Sequence, residues 1–267
     1  SVSAASIIRW NEWRPAGWDA KPGQLYGWGR VHGQYQGHAI QVDALASLCE
    51  QAQFDDWACD IRQVQVLSAS KSPLEDFTDL DGFAEARCRG HLDDPSPDNI
   101  ARNLAHGEVR IMQPGRGDYF LFHGWDGRIC LINSGGSHHF ATARYLAGVA
   151  RQPVELKGML KGYLLNPAAV TALTEEFELF AITRDPLLWD ELFESMRALQ
   201  ATWYAGDLPR PHSEGRVLLL PRADRRSMTV ASALRQAGVP DLGSGLQLQV
   251  HRQAGYPVGP IMAGCHG

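Results

Sequence analysis

The chain has 267 residues, of which 44% are hydrophobic and 21% are charged. This composition is typical of an ordinary soluble globular protein. The longest apolar runs, such as residues 217–220, are too short to cross a bilayer, so we expect no membrane partner. The net charge of −5 does not favour general nucleic-acid binding.

The cysteines are odd in number and scattered: Cys49, Cys59, Cys88, Cys130 and Cys265. They form no CxxC pair, so a disulfide framework or a cysteine-bound zinc site is not expected. We predict that all five are reduced and that the protein is cytoplasmic.

Charge is distributed unevenly along the chain. Residues 43–100 carry 13 acidic and four basic side chains, a net charge of −9. Residues 107–165 carry four acidic and seven basic side chains, a net charge of +3. This pattern indicates either a solvated face or a local anion site within an acidic protein.

In the N-terminal half, residues 1–38 are rich in Trp and Gly and predict a loop-rich or hairpin cap anchored by its aromatic rings. Apolar spacing predicts a helix over 39–58, and alternation predicts a strand over 61–67. Residues 68–98 are expected to be a surface loop with a short helix near 83–88. A helix is expected over 99–106, after a start signal at Ser96-Pro97.

From residue 108 the pattern predicts mainly strands: 108–112, then a turn at 114–117, then a hairpin of strands 119–123 and 128–132. A helix follows over 137–147 and a strand over 154–165. The remaining elements are expected to be helices over 167–176, 186–200 and 229–236 and strands over 177–183, 216–220 and 245–251.

The run from Ile129 to Gly148 carries the clearest functional signal. It predicts a strand, a glycine turn and a helix. A helix start leaves backbone N–H groups unpaired, and these donors, with the helix dipole, suit a phosphate. The predicted binding residues are Asn133, Gly135, Gly136, Ser137, Arg116 and Arg144. The alternatives are structural: a plain tight turn for the glycines, a helix cap for Ser137 and a surface position for Arg144.

His138 and His139 are the catalytic candidates in this turn. Adjacent helical residues point about 100° apart, so both cannot face one ligand squarely. One can serve as an acid, base or phosphate donor while the other packs; the alternative is that both are structural. A metal would need further ligands, for which His123 and Asp118 are the nearest, and no metal site is predicted.

Between Ser96 and Tyr163 the element order resembles the core of the ParB/sulfiredoxin superfamily. The turn Gly135-Gly136-Ser137-His138-His139 is similar to the sulfiredoxin turn, which reads Gly-Gly-Cys-His-Arg. The resemblance implies a nucleotide- or phosphodiester-binding fold, with nuclease or nucleotide-hydrolase chemistry at the turn 135–139. Mg²⁺ would then accompany a nucleotide. The associated settings are bacterial mobile elements, defence and toxins.

Two departures from the superfamily pattern modify this expectation. Ser137 stands where the sulfiredoxin turn has its reactive Cys, which argues against sulfinic acid reduction. His139 stands where Arg is usual, and an imidazole is charged only part of the time near neutral pH. Phosphate affinity at the turn is therefore expected to be weaker and to rise between about pH 8 and about pH 6.

The expected architecture is a mixed α/β fold with three consecutive segments. Residues 1–95 form an aromatic and acidic cap, 96–165 the ParB/sulfiredoxin-like core, and 166–267 a C-terminal α/β extension. The alternative function is a catalytically inactive interaction or regulatory module, whose acidic region 43–100 meets a basic protein partner.

Overall fold

The computed structural model of the protein describes residues 1–113, 115, 117–183 and 185–256. These residues form the mixed α/β fold that the sequence predicts. The strands are β1 (Gln24–Val31), β2 (Gln34–Gln41), β3 (Cys49–Asp60), β4 (Val64–Leu67), β5 (Tyr119–His123), β6 (Ile129–Ile132), β7 (Glu155–Leu165), β8 (Phe177–Thr183), β9 (Trp203–Asp207) and β10 (Gly215–Pro221).

The helices range from a single turn to fourteen residues. They are α1 (Asp43–Ala46), α2 (Leu80–Arg87), α3 (Pro97–Leu104), α4 (Ser137–Val149), α5 (Pro167–Glu176), α6 (Pro186–Leu199), α7 (Arg225–Gln236) and α8 (Leu242–Gln253). Within the described ranges, no helix combines the length and apolar character needed to span a membrane.

The chain divides into two compact units. Unit 1 comprises Ser1–Ile7 and Gln51–Tyr163, with Tyr256, and unit 2 comprises Ile8–Glu50 and Leu164–Gly255. The units do not follow the three expected segments because β1 pairs with β9, which places an N-terminal hairpin in a sheet with C-terminal strands. Such long-range pairing leaves no local signal in the sequence.

Unit 1 has a mixed five-stranded sheet in the order β3-β7-β5-β6-β4. β5 and β6 form the predicted antiparallel hairpin, and Gly127 closes its turn with a φ of 82°. β4 lies parallel to β6, so the loops that follow these two strands leave from the same edge of the sheet. α4 follows β6 and buries Phe140, Ala143 and Leu146.

Unit 2 has a second five-stranded sheet, in the order β2-β1-β9-β10-β8. Each neighbouring pair is antiparallel. Its core combines β8 and β10 side chains, such as Phe180 and Leu218, with Met196 of α6 and Ala231 of α7. Asp185 caps α6 and Asn166 caps α5, and a proline follows each cap, an arrangement typical of helix starts.

Three predicted elements are wrong. Residues 39–58 form the end of β2, the single turn α1 and β3 rather than one helix. Residues 108–112 contain a 3-10 turn (Arg110–Met112) rather than a strand. Residues 245–251 lie in α8: the alternating Leu and Gln suggest a strand, but Asp241 caps the helix by accepting from the Ser244 N–H at 3.0 Å.

β9 (Trp203–Asp207) has no counterpart among the predicted elements, and the other differences are small or lie outside the described residues. Residues 61–63 form a 3-10 turn, so the strand predicted over 61–67 begins at Val64. Pro114 and Arg116, part of the turn predicted at 114–117, are among the residues that the structure does not describe, as is Cys265. Cys49, Cys59, Cys88 and Cys130 are free thiols.

Candidate functional site

The glycine turn opens onto a cavity of about 390 Å³ at the carboxyl edge of β4 and β6. Because the two strands are parallel neighbours, the loop after β4 (residues 68–72) and the turn after β6 (residues 133–136) meet there. The cavity is lined by Ala69, Ser70, Lys71, Glu108, Ser134, Gly135, Gly136, Ser137, His138 and His139. The carboxyl edge of such strands is a common position for ligand sites in α/β proteins.

Asn133 holds the two loops together. Its side-chain oxygen accepts hydrogen bonds from the backbone N–H groups of Ser68 and Ala69 at 3.1 and 3.2 Å. Its Nδ2 donates to the carbonyl oxygens of Ala69 and Gly135 at 2.9 and 3.0 Å. The amide is therefore fully used inside the protein, and Asn133 shapes the site rather than contacting a ligand.

Gly136 needs to be glycine for two separate reasons. Its φ is 68°, in the left-handed region that L side chains rarely adopt. A Cβ atom built there would also lie 2.7 Å from the backbone C and O of Glu108. Gly135 differs, since the nearest atom to its Cβ would be the Glu108 Cβ at 3.5 Å, an ordinary contact.

α4 begins without a side-chain cap. Gly136 is the N-cap residue, so the interpretation of Ser137 as the cap is wrong. The buried Ser137 hydroxyl instead donates to Ser70 Oγ at 3.0 Å. Phe140 is the first residue whose N–H bonds back, to Gly136 O. For the N–H groups of Ser137, His138 and His139, the described part of the chain offers no acceptor, as expected for a helix start.

His138 and His139 point toward different elements, as their adjacent positions predict. His138 Nε2 lies 3.0 Å from Ser72 Oγ, and its ring contacts Phe83. Burial lowers the pKa of His138, Lys71 and Arg87 lower it further, and Glu108 opposes them. His138 is therefore mainly neutral at pH 7.

The tautomer of His139 follows from its hydrogen bonds. Asn103 Nδ2 donates to the backbone and side-chain oxygens of Asn99 at 3.0 and 3.2 Å, which orients Asn103 Oδ1 toward His139 Nδ1 at 3.0 Å. A carbonyl oxygen can only accept, so Nδ1 carries the proton and the neutral ring keeps a lone pair on Nε2.

His139 also stacks on His106, with ring centroids 3.7 Å apart. Burial lowers the pKa of His139, and His106 and His91 lower it further, because a second positive charge beside the first is unfavourable. His139 therefore protonates below its ordinary range, and the pH window of 8 to 6 expected from the sequence moves to lower pH.

Arg144, one of the two predicted arginines, does not contribute to the site. Arg144 donates to the carbonyl oxygens of Val64 and Arg62 at 2.7 and 3.2 Å and pairs with Asp81. Its guanidinium links α4 to these three residues and does not line the cavity. Arg116 lies outside the described residues.

Four residues near the cavity were not predicted from the sequence. Lys71 and Glu108 line it, with Lys71 Nζ 4.0 Å from a Glu108 carboxylate oxygen. Ser70 lines it beside Ser137. Arg110 supports the turn by donating to Ser134 Oγ at 2.6 Å. All four lie more than 20 residues from the glycine turn in sequence, so no local motif at the turn marks them.

The described residues contain no group of three or more His, Cys, Asp or Glu side chains that could hold a metal ion. Asp118, one of the two nearest candidates, accepts from the N–H and Oγ of Ser134 at 3.1 and 2.9 Å and stabilises the turn. His123, the other, is buried beside Trp125 and Tyr163.

The fold and this cavity define an α/β protein in which the N-terminus of a helix lines a cavity at the carboxyl edge of a mixed sheet. Residues 54–256 match the model of DUF6685, a family of unknown function, and the chain belongs to that family. Neither a curated protein nor a solved structure matches the chain.

The two glycines give a matched pair of substitutions. We expect Gly136→Ala to destabilise the protein by at least about 1–3 kcal/mol, because it adds left-handed strain and a close backbone contact. Gly135→Ala should change the free energy of unfolding by less than about 1 kcal/mol, since its Cβ has room. Urea denaturation of both variants measures the difference, and equal midpoints would contradict the geometry of the turn.

Proposed function

We propose that unit 1 binds a phosphate-bearing ligand, a nucleotide or a phosphodiester, in the cavity at the N-terminus of α4. The observation that carries the proposal is the set of three backbone donors on Ser137, His138 and His139, which belong to residues lining a cavity of about 390 Å³. Backbone N–H groups at a helix start, with the helix dipole, favour an anion.

The charges around the cavity oppose one another. Lys71 is largely exposed and can turn toward a phosphate. Glu108 presents a carboxylate to the same space and would repel one. With both histidines mainly neutral at pH 7, the cavity is expected to bind a phosphate group moderately rather than tightly.

Hydrolysis of the ligand is the finer part of the proposal. His139 Nε2 carries a lone pair in the neutral ring, and a neutral imidazole beside a bound phosphate can accept a proton from an attacking water. The resemblance to the ParB/sulfiredoxin superfamily supports this chemistry through the hairpin, turn and helix. The 3-10 turn at Arg110–Met112 departs from the superfamily pattern, which has a strand at this place.

A second candidate is the interaction module with a basic protein partner. It is supported by a cavity of about 750 Å³ in unit 1. The described residues that line this cavity include four acidic side chains and one basic side chain: Asp55, Asp56, Asp118, Glu155 and Lys157. Two of these acidic residues, Asp55 and Asp56, belong to the segment 43–100. A basic peptide would complement their charge.

The charge balance of the phosphate site can be tested by single substitutions. We expect Glu108→Gln to tighten binding of ATP about threefold to tenfold and Lys71→Gln to weaken it to a similar extent, because each removes one charge near the phosphate. Isothermal titration at low salt measures both. Glu75→Gln, an exposed carboxylate that does not line the cavity, is the matched control. Unchanged affinity in both cavity variants would place ATP elsewhere.

The pH dependence of binding should be measured with a dinucleotide phosphodiester, because the charge of its phosphate stays constant between about pH 5 and about pH 8. Protonation adds a charge and a donor to each histidine, so affinity rises as pH falls. Because both pKa values are lowered, the rise should lie below the ordinary value of about 6.5. His139→Gln should reduce it, and His212→Gln in unit 2 should not. A rise in affinity that is already complete at pH 7 would contradict the lowered pKa values of His138 and His139.

Hydrolysis is tested separately from binding. A hydrolase should release nitrophenol from bis(4-nitrophenyl) phosphate, with and without Mg²⁺, and His139→Gln should lower the rate by about 10²–10⁴-fold while ATP binding persists. The control is His212→Gln, in unit 2 and outside the cavity. Retained ATP binding without release in the parent protein would favour the inactive module.

A further inference from the structure

Unit 2 contains a cavity of about 430 Å³ with a different character. Its walls come from β8, α8, the connection between β9 and β10, and the segment that precedes β1. The apolar side chains that line it include Ile8, Trp10, Ile182, Leu208 and Leu242. A mainly apolar cavity of this size is in the usual range for a small-molecule site.

One polar group in the cavity has a fixed orientation. Trp10 Nε1 donates to Gln249 Oε1 at 2.7 Å. The indole has only a donor, so the amide oxygen must face Trp10 and Nε2 must point the other way. Among the residues that the structure describes, none accepts a hydrogen bond from Gln249 Nε2. Since Gln249 lines the cavity, its unused Nε2 donor is available to a ligand there.

The cavity does not suit an added strand. β8 is the last strand of its sheet, and beside the cavity its outer edge is already occupied. The Ala181 N–H donates to Pro240 O at 3.0 Å, and Phe180 forms an isolated antiparallel β-bridge with Asp241. A peptide cannot pair with the sheet at this point, whereas a small molecule needs no strand edge.

Among the described residues of the cavity wall, the charges do not select an ion. His212 and Glu214 line it, with His212 Nδ1 3.9 Å from a Glu214 carboxylate oxygen. Both side chains are more than half exposed. The carboxylate disfavours an anion, and the imidazole disfavours a cation whenever it is protonated.

We propose that this cavity binds a small, uncharged, mainly apolar organic molecule whose single hydrogen-bond acceptor is received by Gln249 Nε2. The site is separate from the proposed phosphate site, and its test does not depend on phosphate binding. The probe is 6-propionyl-2-(dimethylamino)naphthalene, an uncharged apolar dye with one ketone oxygen. Its fluorescence shifts to the blue when it leaves water.

Gly245 supplies a variant that fills the cavity. It lines the cavity from α8, and a Cβ built there meets no atom within 4 Å. Gly245→Leu should therefore extend a side chain into the ligand's space with no clash at its Cβ and should weaken dye binding at least tenfold. Gly148→Leu is the matched control, since Gly148 also lies in a helix with open space at its Cβ. A leucine in place of a helical glycine favours helix formation.

Gln249→Glu tests the hydrogen bond. It keeps an oxygen for Trp10 and removes the amide donor, so dye affinity should fall about threefold to tenfold. Thermal unfolding and circular dichroism verify that each variant is folded. If Gly245→Leu fails to fold, Gln249→Glu still tests the site.

The expected result is saturable, blue-shifted fluorescence in the parent and Gly148→Leu, and a large loss in Gly245→Leu. The proposal is overturned if the parent shows no saturable blue shift, or if folded Gly245→Leu binds the dye as the parent does. Equal binding by folded Gln249→Glu would also overturn it, because the amide donor would then have no part in recognition. Tighter binding of an anionic naphthalene sulfonate would overturn the assignment to uncharged ligands.

Discussion

The parallel pairing of β4 with β6 is the constraint on which the candidate phosphate site depends. It brings two chain segments more than 60 residues apart in sequence to one edge of the sheet. The Asn133 side chain then joins the two loops through backbone hydrogen bonds on both sides. A buried amide with all its partners inside the protein is costly to disrupt, because each lost partner leaves a buried polar group unpaired. The cavity shape follows from this junction.

At this junction, the site combines backbone donors that attract a phosphate with a carboxylate that repels it. The start of α4 supplies backbone donors, and Gly136 lets the Glu108 backbone approach closely. The same approach places the Glu108 carboxylate in the cavity. Burial and neighbouring positive charges keep His138 and His139 mainly neutral at pH 7. The proposed phosphate site therefore depends mainly on fixed backbone dipoles and on one flexible lysine, and acid pH should strengthen it.

The cavity in unit 2 follows a different physical rule. Its apolar walls favour burial of apolar surface, and its one oriented donor, Gln249 Nε2, restricts the orientation of a ligand rather than supplying much affinity. The orientation follows from Trp10, whose indole can only donate. Gly245 leaves the open space in α8 that a larger residue would fill. Each unit thus has a cavity whose ligand chemistry can be tested without reference to the other.

The sequence alone determined the elements that have strong local signals. A cap residue followed by proline fixes the starts of α5 and α6, and the glycine turn fixes the start of α4, because these interactions are made within a few residues. Alternation and spacing misled at 39–58 and 245–251, where short apolar patterns suit either periodicity. Only the tertiary structure decided that Arg144 is tied to β4, that Lys71 and Glu108 reach the cavity, and that β1 pairs with β9. Those contacts join residues far apart in sequence, by side-chain hydrogen bonds, by loop packing or by strand pairing, and no local pattern records such contacts.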